Sequence, residues 1–194
     1  MPLLTTQSAR GYGFSSLVAA VSSEYESIAT WTSTSPAVSF TSIPSTYKHL
    51  QIRFFARTNR SDPNGYLTYR LNSDTSANYS QNAIQEDSAV LQGQGATVTG
   101  TSFSLNSIGG TGAGSSWGIG ILDIYNYANT SMYKTIHSWS GNARGTNITN
   151  NGDVGMSVGS WASLNAVNRI DFIAGYQVTA LESGSYFALY GIKG

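Results

Sequence analysis

The stretch His49-Leu50-Gln51-Ile52-Arg53-Phe54-Phe55-Ala56-Arg57 decides the fold, because apolar and mostly polar side chains alternate along it. Leu50, Ile52 and Phe54 occupy every second position. Successive side chains of a β-strand point to opposite faces, so the stretch predicts a strand with one face in a core. No segment of ten or more residues has the apolar spacing of an amphipathic helix. We therefore expect an all-β chain.

The alternation of apolar and polar side chains, with a period of two residues, recurs along the rest of the chain. It predicts further strands, which with residues 49–57 make eleven: 24–31, 37–43, 65–72, 78–85, 101–108, 117–128, 132–140, 154–161, 167–175 and 184–193. Turn signals such as Asp62-Pro63-Asn64-Gly65 separate them. The pattern predicts one antiparallel β-sandwich or jelly roll of about 8–11 strands over residues 23–194. The glycine-rich residues 93–120 are expected to hold a long loop or a mobile hairpin.

The composition excludes several classes of function. The chain of 194 residues has 10 basic and 10 acidic side chains, and its formal net charge is zero. Because the basic residues are also scattered, we expect no binding to nucleic acid or to an anionic membrane. Cysteine is absent, which excludes disulfides, thiol nucleophiles and thiolate metal sites. A surface this poor in charge favours a chain that packs against other protein.

Residues 1–22 differ from the rest in being rich in Thr, Ser, Gly and Ala. Such a segment buries too little surface to fold alone, so it predicts an extended arm that becomes ordered on a partner. Arg10, Tyr12 and Phe14 are its expected anchors, since their large side chains can fill a partner's pockets. The apolar run Leu17–Val21 is far shorter than the ~20 residues of a membrane helix. The sequence thus predicts assembly inside a cell without secretion.

Several motifs resemble those of a known family. The chain has Ser8-Ala9-Arg10-Gly11-Tyr12-Gly13-Phe14 near its start and Phe187-Ala188-Leu189-Tyr190-Gly191-Ile192-Lys193-Gly194 at its close. Residues 25–30, 43–53, 123–130 and 133–135 also carry the likeness. Together they resemble small virion structural proteins of tailed bacteriophages, especially aquatic phages such as cyanophages. The resemblance implies a homo-oligomer, expected to be a homotrimer, in a virion assembled in the host cytoplasm.

The sequence lacks the side-chain groupings that catalysis requires. Its two histidines, His49 and His137, each lie in a strand pattern. Glu86 and Asp87 are adjacent, and neighbouring strand residues point to opposite faces, so they cannot act on one substrate atom. A Gly-x-Ser-x-Gly nucleophile motif is also missing. The sequence therefore predicts no enzyme and no cofactor.

Asp123 is the most unusual charged residue, because its face of the predicted strand 117–128 is otherwise apolar and aromatic. A buried carboxylate needs a partner. Arg53, Arg57, Lys134 or a tyrosine hydroxyl is the expected one, and a subunit interface or a ligand site is the alternative explanation. We expect His137 to be a hydrogen-bonded structural residue, so Asp123 and His137 form a candidate buried polar network.

Aromatic residues supply the one positive signal for binding: 12 Tyr, 4 Trp and 7 Phe. Trp and Tyr rings fill cores, anchor interfaces and stack on sugar rings. Trp117, Trp139 and Trp161 are therefore candidate glycan or interface contacts.

Two functions compete on these grounds. The first is a non-enzymatic virion protein displayed on the particle, either a head decoration (cement) protein or a tail-associated fibre component, docked to other virion proteins through residues 1–22. The alternative is a host-glycan-binding adhesin module of a tail fibre. A glycan-cleaving enzyme ranks third, because the carboxylate pair that it requires is not visible.

Overall fold

A computed structural model of the chain describes residues 24–32, 37–87, 90–143, 152–175 and 178–194. The predicted arm, residues 1–22 with Arg10, Tyr12 and Phe14, lies outside them. The strands are β1 (Tyr25–Thr32), β2 (Ala37–Phe40), β3 (His49–Ala56), β4 (Asn64–Leu71), β5 (Tyr79–Asp87), β6 (Val90–Gly100), β7 (Phe103–Gly109), β8 (Gly118–Tyr125), β9 (Lys134–Asn142), β10 (Asp153–Trp161), β11 (Ile170–Ala174) and β12 (Tyr186–Ile192). A short 3-10 helix spans Thr111–Ala113.

The strands form two sheets that pack as a sandwich. The large sheet has eight strands in the order β1-β12-β3-β8-β9-β10-β5-β6, and the small sheet has four in the order β2-β11-β4-β7. Every pair of neighbouring strands is antiparallel. The predicted all-β antiparallel sandwich is confirmed.

Strand β3 lies in the large sheet between β12 and β8, and its inner face supplies part of the core. Leu50 and Ile52 are 0% exposed, and Phe54 is 4% exposed. The ring of Phe54 stacks on Phe187 of β12 with centroids 5.7 Å apart. Phe187 in turn contacts Phe172 of the small sheet at 5.0 Å. These aromatic contacts join the two layers, as expected for alternating strands that bury one face.

One strand was not predicted. Residues 90–100 form β6, which pairs with β5 as an antiparallel hairpin at the edge of the large sheet, so of the long loop or mobile hairpin predicted over residues 93–120 the loop is wrong for residues 93–100. The glycines of β6 have low strand propensity, and pairing with β5 compensates for it. The pairing is irregular, with register shifts between Tyr79 and Gln81 and between Gln81 and Ala83.

The carboxylate of Asp74, in the turn between β4 and β5, accepts several hydrogen bonds. The donors are Ser76 N at 2.8 Å, Asn78 Nδ2 at 2.9 Å and the indole Nε1 of Trp161 at 2.8 Å. Burial by itself raises the pKa of Asp74, but these hydrogen bonds outweigh it and lower the pKa to about 2.

This low pKa predicts a loss of stability in acid. In the unfolded chain the Asp74 carboxyl returns to a pKa of about 4, so below that pH the unfolded state binds the proton more readily. The stabilisation is full above pH 4 and is lost as the pH falls towards 2. Urea unfolding at pH 5 and pH 3 measures the change. Asp74→Asn should show a smaller drop than the natural protein, and an equal drop would contradict this role.

Candidate interaction face on the large sheet

The outer face of the large sheet exposes an unusual number of apolar side chains. Seven of them are each 37–56% exposed: Phe55, Ile84, Ile119, Val154, Met156, Val158 and Tyr186. We call this set, with Trp139 and Ile121 between its members, the apolar face. Scattered exposed apolar residues are normal on a protein surface, but a contiguous patch marks a contact site.

Strand register makes the apolar face continuous. Side chains that are paired across neighbouring strands lie side by side at strand spacings of about 4.8 Å. One row runs from β5 to β8 through Ile84, Met156, Trp139 and Ile121. The row beside it runs from β10 to β12 through Val154, Gly141, Ile119, Phe55 and Tyr186.

Strand β10 turns its apolar side chains away from the sandwich. Val154, Met156 and Val158 point outwards, while small or polar residues alternate with them on the inner face. A Cβ atom at Gly159 would lie 2.6 Å from Cε1 of Phe103 in the small sheet. At Gly159 the small sheet thus approaches β10 too closely for a larger inward side chain, and Val154, Met156 and Val158 lie on the opposite, outer face of the strand.

The interior beneath this region is held by hydrogen bonds. Ser138 and Ser157 share a bond of 2.6 Å between their hydroxyl oxygens. Gln81 Nε2 donates to Ser157 Oγ at 2.8 Å. Gln85, which lies on β5 with Gln81, is also buried, at 5% exposure. Here the polar side chains lie inside and the apolar side chains outside, which is the reverse of the arrangement expected in an isolated domain.

A shallow depression of about 240 Å³ opens in the apolar face over strands β5, β10 and β9. Ile84, Met156, Val158 and His137 line it. On the other side of the face, the aromatic rings of Phe55 and Tyr186 are 43% and 38% exposed. The face therefore has a recessed half and a half with exposed rings.

Asp123 and His137 lie beside the apolar face as paired residues of β8 and β9. His137 Nδ1 is 3.9 Å from Asp123 Oδ2, and their side chains are 36% and 18% exposed. The structure therefore brings the two predicted residues together, but at a partly exposed position instead of a buried one. Asp123 is on the outer face because Leu122 and Ile124 take the inner positions of β8.

The partner of Asp123 differs from those predicted. Gln51 Nε2 donates a hydrogen bond of 2.8 Å to Asp123 Oδ1, and Arg53 Nε donates to Gln51 Oε1 at 2.8 Å. Arg53 thus interacts with Asp123 through the side chain of Gln51. Lys134 is 0% exposed and its Nζ donates to the backbone carbonyls of Met132 and Ser163. A partly exposed carboxylate keeps contact with water, so the neutral amide of Gln51 is a sufficient hydrogen-bond partner for Asp123.

The three predicted tryptophan contacts occupy three different environments. Trp161 is 1% exposed in the core, so its assignment to a glycan or interface contact is corrected. Its position follows from β10, whose first and last residues both point inwards. Trp139 lies within the apolar face, paired with Met156 and Ile121. Trp117 stacks on Phe55 with centroids 4.9 Å apart and ring planes 10° apart.

The outer face of the small sheet is polar by contrast. Arg169 Nε donates to both carboxylate oxygens of Asp171 at 2.8 and 2.9 Å, and Ser39 Oγ donates to Asp171 Oδ1 at 2.6 Å. Burial raises the pKa of Asp171, but the hydrogen bonds from Arg169, Ser39 and Ser73 prevail and lower it. The sandwich therefore has one outer face suited to water and one suited to protein.

The described residues hold no group of three His, Cys, Asp or Glu side chains that could bind a metal ion. In the same part of the chain, no helix is long and apolar enough to cross a membrane. Comparison of the sequence and structure with family models, curated proteins and solved structures finds no match.

The sequence pattern did not single out Val154, Met156 and Val158. Their strand alternates apolar residues with Gly and Ser, and such small residues are found on either face of a sheet. Charged residues between the apolar positions would have marked the outer face. The signal that was present is the absence of charged residues from positions 154–161.

Proposed function

We propose that this protein is a non-enzymatic structural subunit of a bacteriophage particle, either a head decoration protein or a component of a tail-associated fibre. The observation that carries the proposal is the apolar face on the large sheet. A subunit in an assembly buries such a face, whereas a free domain would leave it in water. The bacteriophage assignment is supported by the motifs at the two ends of the chain.

In this proposal, residues 1–22 attach the subunit to other virion proteins through Arg10, Tyr12 and Phe14. The point where the arm leaves the sandwich is fixed by contacts with the end of the chain. Lys193 N donates to the backbone carbonyl of Glu24 at 3.0 Å, and Lys193 Nζ lies 3.0 Å from Glu26 Oε2. An arm with a fixed base can hold the sandwich at a defined place on a particle.

Deleting residues 1–22 is expected to reduce incorporation into particles at least about tenfold. A few large side chains carry most of an interface's binding energy, and loss of about 1.4 kcal/mol already weakens binding tenfold. Mass spectrometry of purified particles assembled with each variant measures the copies retained.

The matched control replaces Arg10, Tyr12 and Phe14 by alanine and leaves the length unchanged. It should lose most of the same incorporation. Both variants should unfold at the temperature of the natural protein, since the sandwich begins after the arm. Unchanged incorporation of the deletion variant would overturn the arm's role.

The alternative function is a host-glycan-binding adhesin module, and the Phe55–Trp117 pair is the observation that favours it. Parallel rings 4.9 Å apart offer a flat surface of the kind on which sugar rings stack. The pair adjoins Ile119 and Tyr186, however, which is the composition of a protein contact. Binding to a glycan array that disappears in Trp117→Ala would favour the adhesin.

A further inference from the structure

We infer that a second copy of this chain covers the apolar face, with the recessed half of one copy against the aromatic half of the next. The recessed half lies on β5 and β10, and the aromatic half lies on β8, β3 and β12. The inference rests on the proposed function and names the partner of its interaction face.

The area of the face is that of a stable protein interface. A large apolar side chain has roughly 200 Å² of surface, so seven of them that are 37–56% exposed present on the order of 700 Å². Each partner of a standard specific interface buries about 800 Å². The face therefore needs one large protein surface, and it is much larger than a single small ligand would cover.

The shapes of the two halves are complementary. The depression of about 240 Å³ is lined by Ile84, Met156 and Val158. On the other half, Phe55, which stacks on Trp117, and Tyr186 keep exposed ring surface, at 43% and 38% exposure. An aromatic ring seated in an apolar pocket is the usual anchor of a protein interface. One chain thus carries both the anchor and the pocket.

The charges at the two margins are also complementary. Glu86 on β5 is paired with Val154 of the apolar face, and Arg53 on β3 is paired with Ile121 of the same face. These residues are separated by four strand spacings, about 19 Å. Packing recessed half on aromatic half brings Glu86 of one copy towards Arg53 of the next. A net charge of zero at pH 7 adds no overall repulsion between copies.

Light scattering during size-exclusion chromatography of the full chain tests the inference. The expected mass is two or more times 20.6 kDa, and three copies is the number that the family resemblance implies. Val158→Glu places a charge in the contact and should weaken association at least about 100-fold. Ala37→Glu is the matched control, since Ala37 is an exposed strand residue of the small sheet, and it should leave the mass unchanged.

A crosslinking variant tests the orientation and does not depend on dissociation. The natural chain has no cysteine, so Glu86→Cys with Arg53→Cys introduces the only two thiols. They are too far apart to join within one chain, because a disulfide needs Cα atoms within about 7 Å. Oxidation should give linked chains on a non-reducing gel for the double variant. Either single variant yields at most pairs of chains, and an oligomer without linked chains would contradict the half-to-half arrangement.

Failure of this inference can be distinguished from failure of the proposed function. A monomeric mass at tens of micromolar protein, together with normal incorporation into particles, would overturn self-association and leave the structural role standing. An oligomer that never enters particles would keep the inference about the face and overturn the proposed function.

Discussion

Replacing Phe187 with alanine is expected to lower the free energy of unfolding by about 3–5 kcal/mol. Phe187 is 0% exposed and its ring contacts Phe54 of β3, Trp31 of β1 and Phe172 of the small sheet at 5.7, 6.1 and 5.0 Å. Its removal leaves a cavity where the two layers meet, and residues of a close-packed core fill such a cavity only in part. Urea unfolding at neutral pH measures the change.

The adjacent residue gives a matched control. Tyr186→Ala removes an aromatic ring of similar size that is 38% exposed on the outer face. It should cost clearly less than Phe187→Ala, because 38% of the side chain stays in water after folding and no cavity opens between the two layers. Equal costs for the two variants would contradict the assignment of inner and outer faces on β12.

Replacing Trp161 with alanine is expected to have the second large effect, about 3–5 kcal/mol on the free energy of unfolding. The side chain is 1% exposed, and its Nε1 donates to the Asp74 carboxylate at 2.8 Å. The variant therefore loses core packing and also removes one donor from a charged acceptor. Thermal unfolding followed by circular dichroism provides the measurement.

Two further variants separate these contributions. Trp161→Phe keeps most of the packing and loses the hydrogen bond, so it should cost about 1.5–3 kcal/mol. Trp139→Ala, on the apolar face, should cost less than Trp161→Ala and should weaken self-association instead. A fully stable Trp161→Ala variant would show that this tryptophan is outside the core.

The sequence was sufficient to predict the layers of the fold but not their outer surfaces. In β3, apolar side chains alternate with mostly polar ones, so both the strand and its inner face follow from the residues. In β10, Val154, Met156 and Val158 alternate with Gly and Ser, and the inner face is decided by the closeness of Phe103 to Gly159. That closeness depends on the packing of two sheets, which no local pattern records.

The same limit explains the errors at single residues. Trp139 and Trp161 both lie in strand patterns, and only the pairing of β9 with β10 places one outside and the other in the core. Asp123 looked buried because its neighbours of the same parity are apolar or aromatic, yet Ile119 and Ile121 among them belong to the outer apolar face. The strand β6 was missed since its glycines favour a loop, while pairing with β5 supplies the missing stability.

The sandwich with one polar and one apolar outer face has a direct physical consequence. Burial of the apolar face against protein contributes favourably to assembly at about 25 cal/mol per Å², and leaving it exposed favours aggregation. The polar face around Asp171 and Arg169 has its charges paired and remains suited to water. A structural subunit at the surface of a particle requires both properties.

Cryo-electron microscopy of the assembled phage particle, at a resolution that traces the chain, would show what the apolar face and residues 1–22 contact. We expect copies of the sandwich on the particle, with the apolar face against protein and residues 1–22 in contact with another virion protein. An arm in the capsid shell would identify a cement protein, and an arm in a tail complex would identify a fibre component. Particles that lack the chain, or that carry it with the apolar face open to solvent, would contradict the account.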